Sequence, residues 1–280
     1  MSLPTNQKDA DKIMRVALDH GINYFDTADL YNNGKNEKIV GNALKSNRGQ
    51  IILATKVGNR MNEAGDGWSW DPSKKWITTA VHESLKRLQT DYIDVYQLHG
   101  GTMEDDADEV IDSMESLKKE GLIRAYGISS IRPNVINRFL TKSNAVSVMM
   151  QYSLLDRRPE EWLPLLEDHH VSLLSRGTLA KGILTAEGLT RVNKTGEYLT
   201  YSKEELLKMI EQLQTLDAPI TALALHHVLE QQATGSMIIG ASSTEQLLET
   251  VEAYNTEVPG DVLLKAREIT KHDTYTEHRA

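Results

Sequence analysis

The amino-acid sequence predicts an α/β fold with a parallel sheet, either one doubly wound sheet or one (β/α)8 barrel. Apolar segments of strand length alternate with segments of helical periodicity from one end of the chain to the other. No change in composition, low-complexity tract or linker interrupts this alternation. We therefore expect residues 1–280 to form a single domain.

The predicted strands are mostly continuously apolar, which is typical of strands buried on both faces of a parallel sheet. They are the segments 22–28, 51–57, 92–99, 123–129, 146–152, 171–177 and 236–241. A (β/α)8 barrel has eight strands, and these segments are seven. We expect the missing strand at the front of the chain, which opens directly into a helix.

Helical periodicity fills the intervals between the strands. Residues 7–20 place their apolar side chains on one face and end at Gly21, a residue type that commonly follows a helix C-terminus. Asp71 and Pro72 predict the start of a later helix, as its N-cap and first residue. Further helices are predicted around 110–117 and at 133–140, 159–168, 203–215, 220–232 and 243–254.

The composition argues against several classes of function. A net charge of −9 disfavours binding to nucleic acids or anionic membranes, because both need clustered basic residues. The chain has no cysteine, which rules out disulfides, thiolate nucleophiles and cysteine metal sites, and the histidine pairs do not suggest a metal site. Because it shows neither a signal peptide nor an apolar run of roughly 20 residues, we expect a cytoplasmic protein.

Polar side chains end three successive predicted strands, and this is where parallel barrels carry their functional residues. Asp26 ends the first strand with Tyr31 shortly beyond it, Lys56 ends the second, and His99 ends the third. Each has an ordinary explanation when taken alone, as a turn cap, a packed aromatic or a strand-end histidine. Lys56 is the hardest to explain in this way, because a lysine within an apolar strand needs a partner.

Together the four groups suit the delivery of a proton to a carbonyl oxygen while hydride reaches the carbonyl carbon. Tyrosine is ordinarily a weak acid, and a nearby ammonium favours its phenolate form. Lys56 in turn needs a carboxylate such as Asp26 to stay charged in a partly buried site. A neutral His99 can hydrogen-bond the carbonyl and hold it near the phenol of Tyr31.

Six segments, in this order, resemble the aldo-keto reductase superfamily: GINYFDTADLYNNGKNEKIVGNAL, ILATKVG, DYIDVYQLH, RAYGIS, VMMQYSLLDR and IIGASSTEQL. The similarity runs from about residue 10 to about residue 255, is to the bacterial branch and extends more distantly to the potassium-channel β subunits. It implies a (β/α)8 barrel that reduces aldehydes and ketones with NADPH and has no Rossmann fingerprint. The sequence accordingly has no GxGxxG motif.

The resemblance implies that Tyr31 is the proton donor, that Lys56 and Asp26 tune it, and that His99 orients the substrate carbonyl. The residues that it assigns to the cofactor are Ser129 and Gln151 at the nicotinamide carboxamide, Arg176, Gly177, Leu179, Lys181 and Gly182 around the nicotinamide and pyrophosphate, and Gly240, Ser242, Gln246 and Glu249 near the adenosine.

Three departures from the family pattern concern the cofactor. Ser130 stands where many members have an asparagine that contacts the carboxamide. Arg176 stands where many members have a tyrosine that stacks on the nicotinamide, and a planar guanidinium stacks there as well. Ser242 and Ser243 replace a pair that often includes a cation for the 2′-phosphate, although Lys181 can contribute to phosphate binding. The expected cofactor is therefore NADPH (NADP+), with NADH as the alternative.

The resemblance also concerns the front of the chain. Members normally begin with a hairpin that caps the barrel floor and then a first strand, whereas this sequence starts near the end of that strand, in MSLPT. We weigh a shortened sequence or a misplaced start codon against a genuine variant, which would expose an open strand edge. The expectation is a gap or a poorly covered floor between 22–28 and 236–241.

Three other functions stay open on the sequence alone. One is a class I aldolase-type barrel with Lys56 as the Schiff base. The others are a regulatory subunit that binds NADP(H) without catalysis and an inactive truncated form. We expect a small-molecule carbonyl as the substrate and a monomer or weak homo-oligomer, and Trp68 and Trp70 as residues that either line the substrate mouth or pack internally.

Overall fold

The computed structural model describes residues 3–62 and 67–279; residues 1, 2, 63–66 and 280 lie outside the described part. Its strands are β1 (Tyr24–Asp26), β2 (Ile52–Val57), β3 (Asn59–Met61), β4 (Trp68–Trp70), β5 (Ile93–Leu98), β6 (Ile123–Ser129), β7 (Ser147–Gln151), β8 (Ser172–Arg176) and β9 (Thr234–Ile238). Seven of them form a parallel sheet in the order β1-β2-β5-β6-β7-β8-β9, which makes a nearly closed barrel of the (β/α)8 type. The strands β3 and β4 form a separate antiparallel hairpin.

Helices surround the barrel, the first of them ahead of β1 and the others after it. They are α1 (Gln7–Asp19), α2 (Lys35–Leu44), α3 (Lys74–Leu88), α4 (Ala107–Lys119), α5 (Pro133–Lys142), α6 (Leu163–Asp168), α7 (Gly188–Thr195), α8 (Lys203–Leu213), α9 (Ile220–Leu229), α10 (Thr244–Asn255) and α11 (Gly260–Ile269). Short 3-10 helices cover 45–50, 158–162 and 180–182. None of the described helices is long and apolar enough to cross a membrane.

The parallel register brings the carboxyl ends of the strands to one rim. Lys56 in β2 lies beside Gln97 in β5, and Gln151 in β7 lies beside Arg176 in β8. The residues of β2 that follow Ile52 are all buried, as expected for a strand covered on both faces. The polar groups of the candidate site therefore stand at the end of an apolar core.

The strands β1 and β9 form the two edges of the sheet, and no described strand lies between them. Both are only partly buried, in contrast to β2, which agrees with the predicted gap at this place. Outside the gap, Ile13 and Ala17 of α1 pack against Ala241 and against Leu247 of α10. This contact continues the ring of helices across the break in the sheet.

The start of α3 differs from the sequence prediction. Ser73 is the N-cap, since its hydroxyl accepts a hydrogen bond from the backbone N–H of Trp76. Asp71 lies outside the helix, where its carboxylate accepts hydrogen bonds from the backbone N–H and the hydroxyl of Ser73. The prediction that Asp71 and Pro72 are the N-cap and first residue is therefore wrong by two residues.

Two further predicted boundaries are corrected. The strand predicted at 236–241 spans 234–238 instead, because pairing with β8, including a register shift between Leu173 and Leu174, determines its extent. The helix predicted at 159–168 is divided into a 3-10 helix and α6, with a proline in the first turn of each. Proline has no backbone N–H and opens a helix more readily than it continues one.

Candidate active site

A buried ion pair joins the ends of β1 and β2. Lys56 is fully buried, and its ammonium lies 2.5 Å from Oδ2 of Asp26 and donates to the carbonyl oxygen of Thr27 at 2.8 Å. Gln97, which sequence reasoning missed, donates from Nε2 to Oδ1 of Asp26 at 3.3 Å. Burial raises the pKa of the Asp26 carboxyl, while the Lys56 ammonium and the Gln97 amide oppose that shift. Lys56, a lysine within an apolar strand, is thus paired with a carboxylate, as the sequence predicted.

The rings of Tyr31 and His99 are in contact with each other beside this ion pair. The ring of Tyr31 lies edge to face with the ring of His99, with centroids 5.8 Å apart and planes at 83°. Nζ of Lys56 lies 5.0 Å from the centroid of the Tyr31 ring. The structure therefore brings Asp26, Tyr31, Lys56 and His99 together, as the sequence predicted.

His99 is held in its neutral form. Burial, together with the charges of Lys56 and Arg176, lowers the pKa of the imidazole to about 3. Its Nδ1 is buried and has no hydrogen-bond partner among the described residues. A neutral imidazole has one N–H and one lone pair, so it can donate a hydrogen bond to a carbonyl oxygen.

A second polar cluster lies behind the loop that carries Tyr31. Glu37, fully buried in α2, accepts hydrogen bonds from Thr55 Oγ1 and from Arg87 Nε, each at 2.6 Å. Asp29 is also buried, and burial followed by the charge of Glu37 raises its carboxyl pKa to about 7. Sequence reasoning missed these residues. The available signal was an acidic residue, Glu37, close to the apolar residues Ile39 and Val40 that the same helix buries.

The carboxyl ends of β7 and β8 carry a polar network. Arg176 donates to Oε1 of Gln151 at 3.1 Å, and the Gln151 amide donates to Asp156 at 2.9 Å and to the Tyr198 hydroxyl at 3.3 Å. Arg158 forms two hydrogen bonds to the same Asp156 carboxylate, at 2.7 and 2.8 Å. Gln151 and Arg176 thus lie together as predicted, and Asp156, Tyr198 and Arg158 are partners that sequence reasoning missed.

The segment after β8 turns through left-handed backbone conformations. Gly177, Lys181 and Gly182 have φ angles of 72°, 57° and 88°, in the left-handed region. A Cβ at Gly177 would lie 3.3 Å from Cγ of Gln151, so glycine permits the close approach of the two loops. Leu179 is partly buried against the core, whereas Lys181 is exposed, with its ammonium 5.9 Å from the centroid of the Tyr198 ring.

The remaining predicted cofactor residues lie at the end of β6, in the loop after β9 and in α10. Ser129 is buried at the end of β6, whereas Gly240 is exposed after β9. The N–H and hydroxyl of Ser242 donate to Oε1 of Gln246 at 3.1 and 2.8 Å, beside the N-terminus of α10. Glu249 is exposed farther along that helix.

This set of groups suits a nicotinamide dinucleotide. Hydroxyl and amide groups suit a carboxamide, a planar guanidinium suits the face of an aromatic ring, and a lysine with a helix N-terminus suits phosphate. The glycine turn lets an extended ligand approach the backbone. Among residues 3–62 and 67–279, no group of three or more His, Asp or Glu side chains is placed to hold a metal ion.

Comparisons with known proteins agree with this architecture. The pattern of the aldo/keto reductase family matches residues 2–271. The uncharacterized oxidoreductase YqkF of Bacillus subtilis is 52% identical over 286 residues, which cover 100% of this chain and 94% of that protein. The NADH-specific methylglyoxal reductase of Escherichia coli is 35% identical over 262 residues, which cover 84% of this chain and 79% of that protein.

Solved structures show the same relationship. The holo form of aldo-keto reductase AKR11C1 from Bacillus halodurans superposes with a TM-score of 0.95 at 51% identity, covering 100% of this chain and 93% of that one. The glycerol dehydrogenase AKR11B4 from Gluconobacter oxydans has the same fold, with a TM-score of 0.82 at 24% identity, covering 94% and 85% of the two chains. From its sequence and its fold, the chain is an oxidoreductase that belongs to the aldo/keto reductase family.

Proposed function

We propose that this protein reduces aldehydes or ketones to alcohols with a nicotinamide cofactor and that Tyr31 gives the proton to the carbonyl oxygen. The observation that carries the proposal is the placement of the Tyr31 ring. It lies 5.0 Å from the Lys56 ammonium and 5.8 Å from the His99 ring, between a buried cation and a neutral imidazole. A phenol in this position can lose a proton to a substrate while its negative charge is stabilised.

Lys56 and Asp26 support this proton transfer. When Tyr31 gives up its proton, the phenolate that remains faces the Lys56 ammonium, whose charge stabilises it. The ammonium stays charged in a fully buried place because Asp26 lies 2.5 Å away and the Thr27 carbonyl accepts a second hydrogen bond. Asp26 therefore acts on the reaction through Lys56.

His99 orients the substrate. Because the imidazole is neutral, it can donate a hydrogen bond to the carbonyl oxygen without delivering a proton to it. The edge-to-face contact between the rings of His99 and Tyr31 supports this role. The carbonyl oxygen is thus held by the imidazole N–H close to the Tyr31 hydroxyl, from which the proton comes.

The cofactor, when bound, supplies the hydride. We assign its nicotinamide carboxamide to Ser129 and Gln151, the ring face to Arg176, the pyrophosphate to the 177–182 turn with Lys181, and the adenosine end to Gly240, Ser242, Gln246 and Glu249. The polar network of Gln151 and Arg176 at the rim supports this assignment. We propose NADPH as the preferred cofactor and NADH as the alternative, which the NADH-specific Escherichia coli relative makes worth testing in parallel.

The decisive experiment measures oxidation of NADPH and of NADH by the purified protein with a panel of small aldehydes and ketones. We expect turnover with at least one carbonyl, and a preference for one cofactor in kcat/KM. Borohydride treatment with a carbonyl substrate is run in parallel, because a covalent adduct on Lys56 would indicate aldolase-type chemistry. A folded protein that binds NADPH but turns over none of the panel would instead support a non-catalytic binding subunit.

A further inference from the structure

The β3–β4 hairpin is bonded to the two loops that follow the Lys56 and His99 strands. Asn59, buried at the start of β3, donates from Nδ2 to the backbone carbonyl oxygen of His99 at 3.1 Å. At the same end of the hairpin, beside the Asn59–Trp70 pair, the N–H of Asp71 donates to the carbonyl oxygen of Gly58 at 2.8 Å. The hairpin therefore contacts the backbone of the site from outside the barrel sheet.

Trp70 in β4 makes the second contact. Its indole lies so close to Gly58 and Gly100 that a Cβ added to either glycine would come within 2.5 Å and 3.3 Å of the ring, respectively. The indole N–H donates to Asp105 at 2.8 Å, and the other oxygen of that carboxylate accepts from the N–H of Thr102 at 2.6 Å. One side chain thus contacts the loops after β2 and β5 together.

These contacts matter because Nδ1 of His99 has no hydrogen-bond partner among the described residues. Besides its edge-to-face contact with the Tyr31 ring, the position of the imidazole therefore depends on its backbone. That backbone is held by its N–H, which donates to Val57 at 2.7 Å, and by its carbonyl, which accepts from Asn59. Gly100, which follows, has a φ of 138° and the freedom of a glycine unless Trp70 restrains it.

We propose that Asn59 and Trp70 are positioning residues for His99, acting through its backbone and through the glycine that follows it. The proposal rests on the carbonyl-reductase function given above. A substrate-orienting donor that moves by about 1 Å loses on the order of 10²-fold in rate, since the reacting groups no longer align. Neither residue needs to touch the substrate for this effect.

The test compares Trp70→Ala, Trp70→Phe and Asn59→Ala with the wild-type protein. The matched control is Ser69→Ala, a change at an exposed residue next to Trp70 in the same strand. For each variant, kcat and KM are measured with a carbonyl substrate, the Kd for NADPH is measured by fluorescence titration, and folding is checked by circular dichroism. Because His99 is the proposed target, its imidazole is also titrated by NMR.

We expect Trp70→Ala and Asn59→Ala to lower kcat by about 10- to 100-fold while the Kd for NADPH stays within about twofold. Trp70→Phe keeps a ring over the glycines, so it should recover most of the lost rate. In Trp70→Ala the His99 pKa should rise from about 3 toward its ordinary value, because a released imidazole is reached by water. A merely structural role would lower activity only in proportion to the folded fraction.

The proposal is overturned if the folded Trp70→Ala and Asn59→Ala variants retain wild-type kcat and an unchanged His99 titration. It is also overturned if the loss of rate matches the loss of folded protein. A wild-type protein that turns over no carbonyl would refute the proposed function separately. In that case the NMR titration still decides whether Asn59 and Trp70 hold His99 in place.

Discussion

Replacing Asp26 with Asn should destabilise the protein strongly, because it leaves the Lys56 ammonium buried without its counter-charge. Lys56 has no exposed surface, and after the substitution only neutral acceptors face it, the Thr27 carbonyl at 2.8 Å and the amide oxygen of the new asparagine. Removing one partner of a buried ion pair costs about 3–5 kcal/mol. In a chain of this size each kcal/mol lowers Tm by about 2–4 °C, so a fall of about 6–20 °C is expected.

The assay is denaturant unfolding at pH 7 of Asp26→Asn, Lys56→Met and the double variant. Removing both charges should cost less than the sum of the two single changes, because no charge is then left buried and unpaired. As a control, Asp261→Asn removes one partner of an exposed pair with Lys265 and should leave the free energy of unfolding nearly unchanged. A loss of less than about 1 kcal/mol in Asp26→Asn would refute the reasoning.

Two further predictions concern stability. Gly41→Ala should destabilise the protein by about 1–3 kcal/mol, because the added Cβ would lie 2.5 Å from the carbonyl oxygen of Leu88. The control in thermal unfolding is Gly49→Ala, whose added Cβ would meet no atom within 4 Å. Asp29→Asn should stabilise the protein above pH 7, because burial raises this carboxyl's pKa from 3.8 to about 7 and ionisation then costs the folded state up to about 4 kcal/mol. The free energy of unfolding of Asp29→Asn and of the wild-type protein is measured from pH 3 to 9. The stability gained by the variant should be absent near pH 3, grow between pH 3.8 and about 7, and level off above that. A difference that does not change with pH would contradict the prediction.

Much of the candidate site could be predicted from the sequence because parallel strands end on one rim. Asp26, Lys56 and His99 lie at the ends of three strands that are neighbours in the barrel sheet. Side chains at the ends of neighbouring parallel strands lie close together in space. Lys56 was also marked by its chemistry, since a lysine in an apolar strand requires a carboxylate partner. The side chain of Asp26 provides it.

The residues that sequence reasoning missed depend on contacts between distant parts of the chain. Glu37 and Arg87 are 50 residues apart, and nothing in either local pattern indicates that they meet. The β3–β4 hairpin has strands of only three residues, too short for an alternating pattern to reveal. The bounds of β9 followed its pairing with β8 rather than the apolar run that the sequence displays.

The central claim is that the hydroxyl of Tyr31 gives the proton to the carbonyl. The most direct measurement is the rate of NADPH oxidation with a carbonyl substrate by Tyr31→Phe and by the wild-type protein. This change keeps the ring that contacts Lys56 and His99 and removes only the hydroxyl. We expect kcat to fall by about 10²- to 10⁴-fold with an unchanged Kd for NADPH. A Tyr31→Phe protein with wild-type kcat would contradict the assignment of the proton donor.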